Sequence, residues 1–139
     1  VQQAKKWVNY PAVDVHDSGE IKIKADLKTD STLLATWNCT AHGSHVLHVE
    51  VMMDVTIRRR GDAQIDIVSP HGTSSRVAEW HGDRGADIPG WTYVTVANWH
   101  EKAAGTWEIY LSNAKAGMHG TWNAFSIKIH AIKNYKPLH

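Results

Sequence analysis

The side chains best suited to chemistry in this chain of 139 residues are its ten histidines. His42, His45 and His48 recur at every third position, and imidazole is a common ligand of zinc. Residues three apart on a β-strand face opposite sides of the sheet, however, and no Cys/His pair has the spacing of a structural zinc site. The spacing therefore argues against a metal site built from these three. A second interpretation is pH sensing, because histidine titrates near neutral pH.

His71 is the residue to consider for nucleophilic catalysis. A catalytic triad needs a serine, a histidine that activates it and a carboxylate that orients the histidine. Here the histidine lies within Ser69-Pro70-His71-Gly72-Thr73, a composition typical of a turn in which Gly72 supplies backbone freedom. We interpret His71 as a turn residue and predict no catalytic role for it.

Two short motifs have both a functional and a structural interpretation. Asn38-Cys39-Thr40 is the single N-glycosylation sequon, and Asn38 is the candidate acceptor. Cys39 is the single cysteine and cannot form an internal disulfide. Arg60-Gly61-Asp62 spells the integrin-recognition tripeptide. We predict a turn between strands there, with Gly61 permitting the bend and Asp62 bonding its own backbone.

The segments that must position these residues have the period of β-strands. Alternation of apolar and polar residues marks residues 21–27, 47–57, 63–67, 107–111 and 125–129, and residues 92–96 are rich in β-branched and aromatic types. Glycine- and proline-containing turns separate these segments, and residues 79–87 have the composition of a surface loop. The pattern predicts an all-β sandwich or barrel without a long amphipathic helix.

Composition excludes several classes of function. Fifteen Lys and Arg against 14 Asp and Glu give a net charge of +1, which does not indicate binding to nucleic acid or to an anionic membrane. No apolar run approaches the roughly 18 residues of a membrane span. Residues 1–7 lack the apolar stretch of a signal peptide. The sequence is thus expected to be cytosolic or a mature fragment of a longer protein.

An ordered series of motifs carries a resemblance to a known family. The series comprises Arg59-Arg60-Gly61-Asp62, then Ser69, Pro70, Gly72 and Thr73, and finally Trp91, Trp99, Glu101, Gly105 and Trp107. It resembles the P domain, or homo-B domain, of the kexin and furin proprotein convertases. The match is specific over residues 47–132 and looser over 1–46, so that we expect a P domain over 1–132 and a tail or linker over 133–139.

The resemblance implies a fold and a function. The fold would be an antiparallel β-sandwich of the jelly-roll type, galactose-binding-like, with about eight strands. The domain would be non-catalytic, and would stabilise an adjoining subtilisin-like serine endopeptidase domain and regulate its pH and calcium dependence. The parent would cleave precursors after basic residues in the secretory pathway, with its triad upstream of Val1. No cofactor or calcium ligand set is assigned to this chain, although calcium is possible in the parent.

The resemblance also bears on the cysteine and the tryptophans. Furin-like P domains often pair a cysteine near the position of Cys39 with one near the domain start, where this chain has Trp7, so no such disulfide is expected. Trp91, Trp99 and Trp107 are predicted to pack in the core or between sheets.

A free-standing carbohydrate-binding sandwich, using an exposed Trp7, Trp37 or Trp80, is the first alternative function. Core packing is the preferred interpretation for Trp37. A metal-dependent, histidine-rich binding protein is the second alternative.

Overall fold

The chain folds into two antiparallel sheets, in which apolar and polar side chains alternate along the strands. The computed structural model describes residues 13–114 and 119–133, so Trp7, Lys115 and residues 134–139 of the predicted tail lie outside the described residues. The strands are β1 (Val13–Asp17), β2 (Ile21–Leu27), β3 (Thr32–Cys39), β4 (Ser44–Thr56), β5 (Ala63–Val68), β6 (Ser74–Ala78), β7 (Ile88–Thr95), β8 (Gly105–Asn113) and β9 (Gly120–Lys133). The described segments contain no helix long and apolar enough to cross a bilayer.

The strand order is that of a jelly roll. One sheet has the order β1-β9-β4-β7 with β2 also on β9, and the other has the order β3-β8-β5-β6. β1 and β2 pair with successive parts of β9, from Val13 opposite Ile132 to Leu27 opposite Gly120, so they form one edge strand interrupted at residues 18–20. Counted in this way, each sheet has four strand positions. The predicted β-sandwich of about eight strands is therefore confirmed.

The core lies between the two sheets and is filled by the inward-facing residues of the central strands. On β4 these are Val49, Val51, Met53 and Val55, all nearly or completely buried. Residue Leu47 departs from the predicted alternation, since Val46 pairs with Ala131 and His48 with His130, which leaves Leu47 as a bulge. The extra residue shifts the alternation by one position, so Val46 rather than Leu47 enters the core.

The tryptophans divide between core and surface. Trp107 and Trp122 are fully buried, and Trp37, opposite Trp107 on β3, packs partly buried against the core. The prediction of core positions for Trp91 and Trp99 is wrong, because these side chains are 42% and 61% exposed. Trp91 lies on edge strand β7, and Trp99 lies in the loop between β7 and β8.

Cys39 ends β3 with a buried, free thiol. Burial raises the pKa of this thiol, and a backbone hydrogen bond with Ala41 offsets part of that increase. At pH values below the ordinary pKa of a thiol, this group therefore favours the folded state. The contribution is lost as the pH rises through the higher pKa that the thiol has in the folded protein.

We expect Cys39 to react slowly with a thiol reagent at neutral pH, because only the thiolate attacks and the sulfur is inaccessible. The rate of colour release from Ellman's reagent, compared with and without denaturing urea, measures this. An equally fast reaction in the native protein would contradict the buried position.

Candidate functional site

The Arg60-Gly61-Asp62 motif forms a 3-10 turn that fastens the loop of residues 79–87 to the sandwich. The N–H of Arg60 donates to the carbonyl of Gly85 at 2.8 Å, and that of Gly61 donates to the carbonyl of Asp83 at 3.1 Å. The N–H of His81 returns a bond to the carbonyl of Gly61 at 2.9 Å. The turn is present as predicted, but the role of Gly61 is different. Its φ angle is not positive, and the missing side chain instead leaves room for the loop backbone.

The Arg60 side chain is held by three groups at this turn. Its guanidinium donates to the carbonyl of Ala86 at 3.0 Å, lies 3.6 Å from the Asp83 carboxylate and stacks 4.5 Å from the centre of the Trp91 ring. A cation over an indole face is attracted by the ring quadrupole, so this contact holds the Trp91 ring against Arg60. With Arg60 engaged and Gly61 buried, the tripeptide acts as an internal clamp.

The Ser69-Pro70-His71-Gly72-Thr73 turn is joined by a hydrogen bond to the loop between β7 and β8. The Ser69 hydroxyl donates to the Glu101 carboxylate at 2.6 Å and accepts the N–H of Thr73 at 3.2 Å. Gly72 has a φ of 87°, the left-handed conformation that the turn prediction requires. His71 is exposed in this turn.

Gly105 completes this cluster at the same end of the sandwich. It has a φ of 127°, and a Cβ at this position would lie 2.6 Å from the Cβ of Pro70. The fold thus brings Ser69, Pro70, Glu101 and Gly105 together from separate parts of the chain. The Ser69 side chain bonds to Glu101 and Pro70 lies against Gly105, which indicates a role in holding the loops together.

Asn38 is exposed on β3, an edge strand of the four-stranded sheet, and Thr40 is also exposed. Both groups that a glycosylating enzyme must reach are therefore accessible. Use of the sequon stays a prediction, which a shift in mass on treatment with an N-glycosidase would test.

A cluster of side chains that can bind a metal lies on the outer face of the five-stranded sheet, which consists of β1, β2, β4, β7 and β9. His48 and Glu50 are two apart on β4, and His130 lies opposite His48 on β9. The two imidazole rings stack with centroids 4.0 Å apart, and Nε2 of His130 is 2.9 Å from a Glu50 carboxylate oxygen. The hydrogen bond with His130 is the main cause of the lowered pKa of Glu50.

Within residues 13–114 and 119–133, this is the only group of three or more His, Cys, Asp or Glu side chains that could hold a metal ion. Its ligand atoms all lie within 4.8 Å of one another. Of the three histidines singled out by their spacing, only His48 belongs to it; His42 lies in the turn before β4. Sequence reasoning missed Glu50 and His130. A usable signal for Glu50 was its spacing of two from His48, but the pairing that brings His130 to them is visible only in the folded sheet.

Exposed valines surround this cluster and are here named the valine face: Val13, Val15 and Val94. Val15 lies opposite His130 and is 51% exposed, and Val94 lies opposite Glu50 and is 56% exposed. Pairs directly opposite each other point to the same side of a sheet, so these valines and the cluster share one surface. Val13 and Val15 lie on one side of the cluster and Val94 lies on the other, so the exposed apolar side chains flank it.

Comparison with known proteins gives this architecture a family. The sequence model of the proprotein convertase P-domain matches residues 46–129, which include the clamp, the Ser69 turn and most of β4 and β9. The chain belongs to this family. The P domain is 28% identical to PC3-like endoprotease variant B of Hydra vulgaris over 121 residues, covering 81% of this chain and 17% of the Hydra protein. It is 31% identical to human proprotein convertase subtilisin/kexin type 5 over 122 residues, covering 79% of this chain and 6% of the human protein.

The fold of the P domain also occurs in a solved protease. The serine protease of Aeromonas sobria, in complex with its chaperone, superposes with a TM-score of 0.73 at 15% identity, over 94% of this chain and 29% of that one. At this identity the likeness concerns the fold alone. The P domain spans less than a fifth of the length of the two curated relatives described above, each of which is a much longer protein.

Proposed function

We propose that this P domain is the non-catalytic module of a subtilisin-like serine endopeptidase that processes precursor proteins after basic residues in the secretory pathway. In this role the module stabilises the adjoining catalytic domain of the same polypeptide and influences the pH and calcium dependence of its activity. The observation that supports the proposal is the family match over residues 46–129, in a segment that corresponds to a small part of much longer convertases.

The reading frame upstream of Val1 tests this assignment. We expect it to encode a subtilisin-like set of Asp, His and Ser, while the purified 139-residue chain hydrolyses no dibasic peptide. Turnover by the chain alone would overturn the non-catalytic role. A start codon or a bare signal peptide immediately before Val1 would favour a free-standing binding module.

The valine face supports a specific contact with the catalytic domain. A partner that binds only the folded form of a domain stabilises that form, and burial of exposed valines provides such binding free energy. We propose that Val15 and Val94 pack against the catalytic domain of the same polypeptide.

Changing Val15 and Val94 together to aspartate in the full-length protease is expected to lower the secreted activity on a dibasic peptide by about tenfold or more. Full burial of an exposed valine contributes about 1.5–3 kcal/mol, of which Val15 and Val94, each already about half buried, can gain about half, and an unpaired buried carboxylate is costly. Leu34→Asp is the matched control, because Leu34 is equally exposed, at 51%, on the other sheet. Equal loss of activity in both proteins, or no loss in either, would reject this surface.

A second function has one observation in its favour. Trp80 and Trp91, both partly exposed, line a common cleft of about 410 Å³ with Arg60. Exposed aromatic rings of this kind can stack on sugars, so a carbohydrate-binding sandwich is the alternative. Quenching of tryptophan fluorescence by polysaccharide, abolished in Trp80→Ala, would support it.

A further inference from the structure

We propose that His48, Glu50 and His130 form a binding site for a divalent transition metal ion of the zinc class on the outer face of the five-stranded sheet. The site is distinct from the clamp and from the Ser69 turn, which lie at the two ends of the sandwich. It goes beyond the proposed role of the domain and does not depend on an attached protease.

Strand geometry brings the three ligands together. Residues two apart on a strand point to the same face, which places His48 beside Glu50. Residues directly opposite on paired strands have neighbouring side chains, which places His130 beside His48. The ligand atoms of all three lie within 4.8 Å of one another. Two neighbouring strands inside the sheet, β4 and β9, therefore carry the whole site.

The distances suit zinc after a small rearrangement. Bonds of about 2.1 Å in a tetrahedral arrangement place neighbouring ligand atoms about 3.4 Å apart. Nε2 of His130 and the nearer Glu50 oxygen are already 2.9 Å apart and would separate slightly to admit the ion. The stacked rings of His48 and His130 would turn so that a nitrogen of each faces the metal. The side chains of His130 and Glu50 are 20% and 30% exposed, which leaves room for this turning.

The chemical types of the three ligands favour a metal ion of the zinc class over calcium. Two imidazoles and one carboxylate are ligands of zinc and related ions, whereas calcium prefers oxygen ligands alone. The Lys128 ammonium is on the same face, but it lies 4.0 Å from the Asp17 carboxylate, which offsets its charge. Three protein ligands leave a fourth position open to water or to a partner group.

The first experiment uses Zn²⁺ with the 139-residue chain freed of metal by a chelator. Calorimetric titration is expected to show one equivalent bound, and Zn²⁺ is expected to raise the melting temperature because the ion binds only the folded arrangement. Co²⁺ in place of Zn²⁺ is expected to show the visible absorption of a four-coordinate site. Absence of saturable binding would overturn the proposal.

Variants assign the binding to these residues. His130→Ala and Glu50→Gln are each expected to weaken Zn²⁺ binding by at least about tenfold, since even groups that only orient a metal ligand change affinity by about that factor. His42→Ala is the matched control and is expected to bind as tightly as the parent, because His42 is an exposed histidine outside the cluster. Glu50→Gln keeps the shape of the side chain, so it remains informative if His130→Ala fails to fold. Binding that survives Glu50→Gln, or that is lost in His42→Ala, would place the metal elsewhere and overturn the proposal.

Discussion

Replacing Trp107 by alanine is expected to lower the free energy of unfolding by about 3–5 kcal/mol, the usual cost of removing a large buried aromatic side chain. Trp107 is fully buried on β8 and lies opposite Trp37 in the core between the sheets. Its indole N–H donates to the carbonyl of Ala103 at 2.9 Å. The substitution leaves a cavity and also deprives a buried carbonyl of its donor, which costs a further free energy. Such a loss is a large fraction of the stability of a domain of this size.

Urea denaturation followed by circular dichroism measures this effect. Trp99→Ala is the matched control, because Trp99 has the same side chain but lies 61% exposed in the loop between β7 and β8. We expect the control to change the free energy of unfolding by less than about 0.5 kcal/mol, as is usual for surface substitutions. If the two variants were equally stable, the position of Trp107 at the centre of the core would be wrong.

Changing Gly61 to alanine is expected to destabilise the domain by about 1–3 kcal/mol or more, the usual range for inserting atoms into packed structure. A Cβ at this position would meet the carbonyl oxygen of His81 and would lie 2.8 Å from the oxygen and 2.9 Å from the nitrogen of the Asp83 backbone. These are backbone atoms, so they cannot move aside by a simple rotation. The loop of residues 79–87 would have to detach from the clamp.

Gly82→Ala is the matched control within the same loop, because a Cβ there has nothing within 4 Å. Limited proteolysis distinguishes the two variants, since a detached loop is cut faster. We expect rapid cleavage within residues 79–87 in Gly61→Ala and the parent rate in Gly82→Ala. If both variants had the parent rate, the clamp would not hold the loop.

Much of the fold follows from local patterns in the sequence. Alternation at residues 47–57 predicts the long strand, which the structure places at Ser44–Thr56, and the turns predicted at Gly61 and Gly72 lie between strands. The bulge at Leu47 could not be predicted, because it depends on the register of β4 against β9. The sequence of a single strand likewise does not show whether that strand lies at the edge or in the centre of its sheet. For this reason Trp91 was wrongly predicted to lie in the core, although β7 is an edge strand and leaves its side chain exposed.

The candidate metal site illustrates the same limit more sharply. His48 and His130 are 82 positions apart in the sequence, and only strand pairing makes them neighbours. Spacing along the chain groups His48 with His42 and His45 instead, and neither of these two joins the cluster. By contrast, the Ser69 turn was predictable from Pro70 and Gly72, since its conformation is a local property.

The pairing of β1 with β9 determines where the described part of the chain begins and ends. Val13 and Ile132 are directly opposite each other, so the described part of the chain begins and ends at the same end of the sandwich, with these two Cα atoms about 5 Å apart. The clamp at Arg60–Asp62 and the loop of residues 79–87 lie at the opposite end. The two ends of the described chain are therefore neighbours, and the clamp lies at the far end of the sandwich from both.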